Sequence, residues 1–76
     1  MKKYFVYVVN EDEDEDEYNY IDEVNTYGYS SVRSVLSSLL LDTYEQSKTI
    51  LELVEKEKPE KTHGIGTIEL NYNVME

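Results

Sequence analysis

The sequence predicts an α+β fold, in which a three-stranded sheet of order β-β-α-β has one long helix packed on one face. Three observations indicate it. Lys2 to Asn10 is rich in β-branched and aromatic residues, Ser30 to Lys58 repeats apolar residues at helical spacing, and Thr67 to Met75 alternates between apolar and polar residues. A chain of 76 residues has the size of one domain. We therefore expect a single acidic α+β domain over residues 1–76.

The first predicted strand, Lys2 to Asn10, is apolar on both of its alternating faces. That pattern is typical of a central strand covered on both sides. The helix can cover one face, and a chain this short has little left to cover the other. We therefore expect a homodimer, in which a second copy covers the remaining face.

A second strand is predicted over Tyr18 to Val24, and Asn25 to Gly28 has the composition of a turn. The two strands are expected to form a hairpin. The residues between them, Glu11 to Glu17, read Glu-Asp-Glu-Asp-Glu-Asp-Glu and would lie at its tip or extend its arms.

The predicted helix runs from Ser30 to Lys58 and ends before Pro59. An unbroken helix over these residues would be about 43 Å long, which is long for so small a domain. We therefore allow for a break near Asp42 and Thr43. Leu41 points away from the apolar stripe and is a candidate for a self-association contact. The stripe consists of Val32, Leu36, Leu39, Thr43, Ile50 and Val54, with Leu40 and Ser47 beside it.

The third predicted strand, Thr67 to Met75, follows a linker at Glu60 to Gly66 that holds His63, the chain's one histidine. One face of this strand is expected to be buried and the other to be wet. The buried set is Ile68, Leu70, Tyr72 and Val74, and the wet set is Thr67, Glu69, Asn71 and Asn73.

The charge is concentrated in one segment. The formal net charge is -10, and residues 11–27 alone contribute nine acidic side chains and no basic one. Such a field repels nucleic acid and anionic membranes, and it attracts cationic partners. The chain has no cysteine, no apolar stretch of membrane-spanning length and no signal-peptide pattern. We expect a cytoplasmic protein with no membrane contact.

The acidic run has three interpretations. The first is a solvated, mobile loop, since blocks of like charge repel. The second is a calcium loop, but Glu17 stands where that loop needs glycine, and the flanking segments read as strands. The calcium ligands would be Asp12, Asp14, Asp16 and Glu23.

The third interpretation is mimicry of nucleic-acid phosphates. In an extended chain, residues two apart lie on one side about 6.7 Å from each other, close to the spacing of successive phosphates. One row would be Glu11, Glu13, Glu15 and Glu17, and the opposite row Asp12, Asp14 and Asp16. Tyr18 and Tyr20, among eight tyrosines in all, follow the run and suit an interface.

No catalytic constellation is present. His63 has no second histidine or cysteine, and the serines have no base within the pattern. Gly64-Ile65-Gly66 is too short for a dinucleotide fingerprint and precedes a strand. We expect no enzyme activity, no cofactor and no metal.

In character, the sequence resembles the phage-encoded acidic DNA-mimic inhibitors of host takeover. The resemblance lies in Glu11 to Glu17, Asp22, Glu23 and the net charge. It implies that the chain binds the DNA-binding surface of a basic host protein, with an HU-type nucleoid protein as first candidate, and that it does not bind nucleic acid itself. The expected partner-binding residues are Glu11, Asp12, Glu13, Asp14, Glu15, Asp16, Glu17, Tyr18, Tyr20, Asp22 and Glu23.

The alternative is a regulatory adaptor that docks on a host enzyme through its helix or sheet face. The enzyme would be RNA polymerase, a protease chaperone, uracil-DNA glycosylase or a CRISPR nuclease. In that case the acidic run only keeps the protein in solution.

Overall fold

A computed structural model describes residues 1–11 and 15–70 of the chain. These residues form a four-stranded sheet and one α-helix, so the α+β class is confirmed, but the sheet has four strands where three were predicted. The element order is β-β-β-α-β, with a short 3₁₀ turn at Val35–Ser37. The elements are β1 Lys2–Glu11, β2 Asp16–Asn25, β3 Gly28–Val32, α1 Tyr44–Glu57 and β4 Thr62–Glu69.

The strands lie in the order β3-β2-β1-β4, and all neighbours are antiparallel. β1 is therefore a central strand, as its two apolar faces predicted. β1 and β2 form the predicted hairpin, in which Tyr7 pairs with Tyr20 and Glu11 pairs with Asp16. The predicted turn after β2 is also present, since Asn25 pairs with Gly28.

The end of the β1–β2 hairpin extends beyond its neighbours. The β1–β4 pairing stops at Val9, and the β2–β3 pairing stops at Tyr20. The last two pairs of the hairpin, Asn10 with Glu17 and Glu11 with Asp16, have no partner strand on either side within the described residues. The hairpin thus projects from the sheet as a two-stranded arm.

The predicted helix is wrong over its first half. Val32 does not begin a helix, because it pairs with Tyr20 at the end of β3. Leu36, which the helical stripe would have buried, is 67% exposed. α1 begins at Tyr44, after the break that the sequence allowed near Thr43, and it ends at Glu57, shortly before Pro59.

A capping box fixes the start of α1. The Gln46 backbone N–H donates to Thr43 Oγ1 at 3.2 Å, and the Thr43 N–H donates to Gln46 Oε1 at 3.3 Å. These two bonds satisfy backbone donors that a helix start otherwise leaves unpaired. Thr43 is therefore the N-cap of α1 and not a member of an apolar stripe.

The extended segment before α1 pairs with β1 beyond the point at which β2 stops pairing with it. β2 has a bulge between Ile21 and Glu23, and beyond it the strand no longer pairs with β1. The Leu39 N–H donates to the Ile21 carbonyl at 3.0 Å, and Leu41 exchanges two backbone hydrogen bonds of 2.8 Å with Tyr4. Leu41 is therefore partly buried beside β1, and its predicted position on an outer helix surface is wrong.

The core lies between α1 and one face of the sheet. Val6 and Val8 of β1, Ile21 of β2 and Val54 of α1 form the buried cluster, and Ser47 of α1 is also fully buried. Burying a valine or isoleucine side chain stabilises a fold by about 1.5–3 kcal/mol. The second half of the predicted helical stripe is thus confirmed.

β4 starts earlier than predicted, at Thr62, so the expected linker at Glu60 to Gly66 is largely strand and His63 lies opposite Val8 in the sheet. The alternation of exposure holds as far as Leu70, and the remaining predicted strand residues lie outside the described part. Ile65 packs against the core, while the pairing of Ile68 with Lys3 places Ile68 on the face away from α1.

Candidate partner-binding surface

We call the exposed carboxylate cluster at the end of the projecting hairpin the acidic tip, and it consists of Glu11, Glu15, Asp16 and Glu17. Glu11, Glu15 and Asp16 are exposed, and Glu17 is half-buried. Glu11 lies directly opposite Asp16. Opposite residues of an antiparallel pair project to the same face, about 5 Å apart at Cβ, so these two carboxylates reinforce one another's field. The predicted site residues Asp12, Glu13 and Asp14 lie outside the described residues.

The predicted row of carboxylates at phosphate spacing is wrong for the described part of the run. Such a row needs Glu11 and Glu17 on one side of one extended strand. Instead the chain reverses between Glu11 and Asp16, and the register places Glu17 opposite Asn10, on the other face of the hairpin. The result is a compact charge cluster with carboxylates on both faces of a narrow arm.

Arg33 reduces the charge on one side of the acidic tip. Its Nη2 lies 2.5 Å from Glu17 Oε1, and the guanidinium side chain is 81% exposed. An exposed pair of this kind contributes about 0–1 kcal/mol to stability, so its effect is mainly on the local field. Arg33 was predicted inside the helix, and the sequence carried no signal for this contact.

Asp22 and Glu23, which were also predicted to bind the partner, lie away from the acidic tip. Asp22 lies six positions after Asp16 along β2, which is about 20 Å in an extended strand. Its carboxylate accepts a hydrogen bond of 2.7 Å from Ser30 Oγ. Glu23 is exposed and pairs with Ser30 in the sheet. These two residues would need a partner that also spans the middle of β2.

An aromatic surface lies next to the acidic tip, on the sheet face opposite α1. We call it the aromatic face. The ring centroids of Phe5 and Tyr20 are 5.4 Å apart at 78°, and those of Tyr7 and Tyr18 are 5.7 Å apart at 63°, which are favourable edge-to-face arrangements. The four rings line a shallow depression of about 320 Å³. Tyr18 is 51% exposed, and the other three rings are partly buried.

Two glycines of β4 leave space for the rings of Phe5 and Tyr7 to lie across the sheet. Gly66 is opposite Phe5, and Gly64 is opposite Tyr7. A Cβ at Gly66 would overlap the far end of the Phe5 ring, and one at Gly64 would overlap the Tyr7 hydroxyl and ring. Glycine inside a strand often marks such a close approach. The sequence predicted that one face of β1 is left uncovered by the helix, but Gly64 and Gly66 were assigned to a linker, and their approach to Phe5 and Tyr7 was missed.

A second cleft of about 320 Å³ lies at the other end of the molecule, between the β2–β3 turn and the end of α1. Tyr29 lines it together with charged and apolar side chains. Burial raises the pKa of the Tyr29 phenol above its ordinary value, and the carboxylates of Glu60 and Glu57 add to the shift. Lys56 and Glu57 both line the cleft, which lies away from the acidic tip.

Other kinds of site find little support in the part of the chain that the structure covers. Over residues 1–11 and 15–70, no group of three or more His, Asp or Glu side chains is placed to hold a metal ion. In the same ranges, no helix has the length and apolar character to cross a bilayer.

The chain was also compared with known proteins. No family model, curated protein or solved structure matches it.

Proposed function

We propose that the protein is a DNA-mimic inhibitor, which binds the DNA-binding surface of a basic host protein and blocks its access to DNA. The observation that supports this proposal is the acidic tip, in which Glu11 and Asp16 face the same way at the end of a projecting hairpin. The first candidate target is an HU-type nucleoid protein. The proposed place of action is the cytoplasm of a bacterial host.

Electrostatics supplies the mechanism. Proteins that bind DNA gain much of their affinity from Lys and Arg that meet phosphates. A dense cluster of carboxylates can occupy the same side chains and so compete with DNA. Because the carboxylates lie on both faces of the arm, the proposed mimicry is one of charge density and not of phosphate spacing. Association should be fast at low salt and should weaken as salt rises.

The partner is a basic protein, and the proposal includes no catalysis, no cofactor and no binding of nucleic acid by the chain itself. A homodimer stays a prediction. It would present two acidic tips to a target, which would raise the effective concentration of the second tip after the first has bound.

Competition for DNA tests the proposal. A labelled DNA–HU complex is titrated with the protein, and release of DNA is followed by fluorescence anisotropy at graded salt. The tip variant neutralises the four tip carboxylates, and the control variant neutralises four exposed carboxylates outside the tip, so both have the same net charge. The tip variant is Glu11→Gln, Glu15→Gln, Asp16→Asn and Glu17→Gln, and the control is Glu45→Gln, Glu52→Gln, Glu55→Gln and Glu60→Gln.

The wild-type protein and the control should displace DNA at low salt, and the tip variant should be much weaker. At about 0.2–1 kcal/mol for each exposed charge pair, four lost pairs weaken competition at least about fourfold. No displacement by the wild-type protein would contradict the HU version of the proposal. Equal displacement by the two variants would contradict a role of the acidic tip.

The alternative function, a regulatory adaptor, is favoured by the aromatic face, which α1 does not cover. In this case the protein would dock on a host enzyme such as RNA polymerase through the sheet. Binding to purified RNA polymerase that survives the four tip substitutions would support the adaptor over the DNA mimic.

A further inference from the structure

We infer that the aromatic face binds arginine side chains of the partner, which the acidic tip attracts to it. The inference deepens the proposed function and rests on it for the cationic character of the partner. It adds a second, separate contact to the charge attraction: stacking of planar guanidinium groups on tyrosine rings.

The geometry of the face suits such a contact. Among the described residues, its depression is lined by four aromatic rings, and Tyr18 is half exposed at its border. A cation near the face of an aromatic ring is attracted by the ring's quadrupole, and arginine makes this contact more often than lysine. The described residues include such a contact, since the Lys2 ammonium lies 5.4 Å from the centre of the Tyr4 ring.

The charges around the face identify the occupant as cationic. Side chains alternate along a strand, so Glu11 lies on the same face as Tyr7 and Phe5, and Asp16 on the same face as Tyr18. The basic side chain on this face of β1, Lys3, is already paired with the Asp42 carboxylate. A guanidinium stacked on Tyr7 or Tyr18 would therefore meet carboxylates at the end of the same face.

The same charges argue against two other occupants. Aromatic sheet faces stack bases in some RNA-binding proteins, but a chain with a net charge of -10 repels the phosphates. A second copy docked on this face, where the predicted homodimer would form, would bring its own Glu11 and Asp16 into the same interface, where like charges repel. A homodimer that is compatible with the inference would therefore use another surface. An arginine-bearing protein segment meets both the rings and the carboxylates favourably.

The experiment compares two labelled peptides of equal length and charge, oligo-arginine and oligo-lysine, by fluorescence anisotropy at low salt. Variants Tyr18→Leu and Tyr20→Leu each keep an apolar side chain and remove a ring. Tyr27→Leu is the matched control, because Tyr27 is 96% exposed at the β2–β3 turn. Circular dichroism checks that each variant folds, and the half-exposed Tyr18 keeps the test valid if Tyr20→Leu does not fold.

The wild-type protein should prefer the arginine peptide. A whole cation–π contact at an exposed site corresponds to about two- to fivefold for each stacked side chain, and because lysine also makes this contact the preference should not exceed that range. Tyr18→Leu should weaken binding of the arginine peptide more than binding of the lysine peptide and so reduce the preference, and Tyr27→Leu should change neither affinity. Neutralising the four tip carboxylates should lower the affinity for both peptides by a similar factor.

Several results would overturn the inference. Equal affinity for the two peptides, or a preference that survives Tyr18→Leu, would remove the stacking contact and leave the charge attraction of the proposed function intact. Failure of the wild-type protein to bind either peptide would instead refute the proposed function on which the inference rests. Single-stranded DNA bound at this face, or a dimer in sedimentation that Tyr18→Leu dissociates, would assign the face to a different occupant.

Discussion

Replacing Gly66 by alanine tests the packing that supports the aromatic face. The added methyl group would occupy the space of the Phe5 ring, so the ring must lift off β4 or the strand must move. Phe5 also contacts Tyr20 edge to face, and that arrangement would be disturbed with it. We expect Gly66→Ala to destabilise the fold.

The cost follows from two opposing effects. Forcing extra atoms into packed space costs about 1–3 kcal/mol. Replacing glycine by alanine returns about 0.4–1 kcal/mol, because the unfolded chain loses conformational freedom. The midpoints of the two ranges leave a net loss of about 1.3 kcal/mol. For a domain of 76 residues this lowers Tm by roughly 5–10 °C.

Thermal and urea unfolding followed by far-UV circular dichroism measure this loss. Thr67→Ala is the control, since Thr67 is the exposed neighbour of Gly66 and should change stability by about 0.5 kcal/mol or less. In a Phe5→Leu background the obstructing ring atoms are absent, so Gly66→Ala should cost far less there. An unchanged cost in that background, or a Gly66→Ala protein as stable as the wild type, would refute the proposed packing.

Two further predictions concern the helix start and the alkaline limit of stability. Thr43→Ala removes the cap of α1 and should cost about 1 kcal/mol in urea unfolding, whereas Thr43→Ser, which keeps the hydroxyl, should cost much less. Burial and nearby carboxylates raise the pKa of Tyr29 above 10.0, so the folded state holds the neutral phenol after the unfolded chain has ionised. The contribution of the neutral Tyr29 phenol to the free energy of unfolding should therefore be fully present below about pH 10 and be lost as pH rises through the folded pKa. Tyr29→Phe should flatten this loss of stability, and Tyr27→Phe should not.

The parts of the fold that were predicted correctly depend on local patterns. β1 was placed at the centre of the sheet because both of its alternating sets are apolar, and the hairpin followed from two predicted strands with the acidic run between them. The second half of the helix followed from the spacing of Ile50 and Val54. None of these predictions needed the position of a distant residue.

The errors arose where a distant pairing decided the structure. Val32 fits a helical stripe, but it lies in β3 because Tyr20 of β2 is available to pair with it. Gly28 allows the turn that starts β3, with a φ of 131° that other residues rarely adopt. The capping box of Thr43 and Gln46 was a readable local signal for the true helix start.

For the candidate site, too, the sequence predicted what local patterns decide and missed what depends on strand register. The sequence located the acidic run between two strands, and the structure places its described members Glu11, Asp16 and Glu17 on a projecting arm. The sequence could not reveal that Glu11 lies opposite Asp16, since this depends on the hairpin register. The aromatic face depends on the register of three strands at once, with Gly64 and Gly66 of β4 beneath the rings of β1.

The projecting arm holds the acidic tip apart from the core that stabilises the fold. The carboxylates of the arm lie beyond the last pairs that β1 makes with β4 and β2 makes with β3, so the core does not depend on them. The number of acidic residues can therefore change, by mutation or by design, with little effect on the stability of the domain. Such a chain can adjust its affinity for a basic target while the structure that holds the arm stays the same.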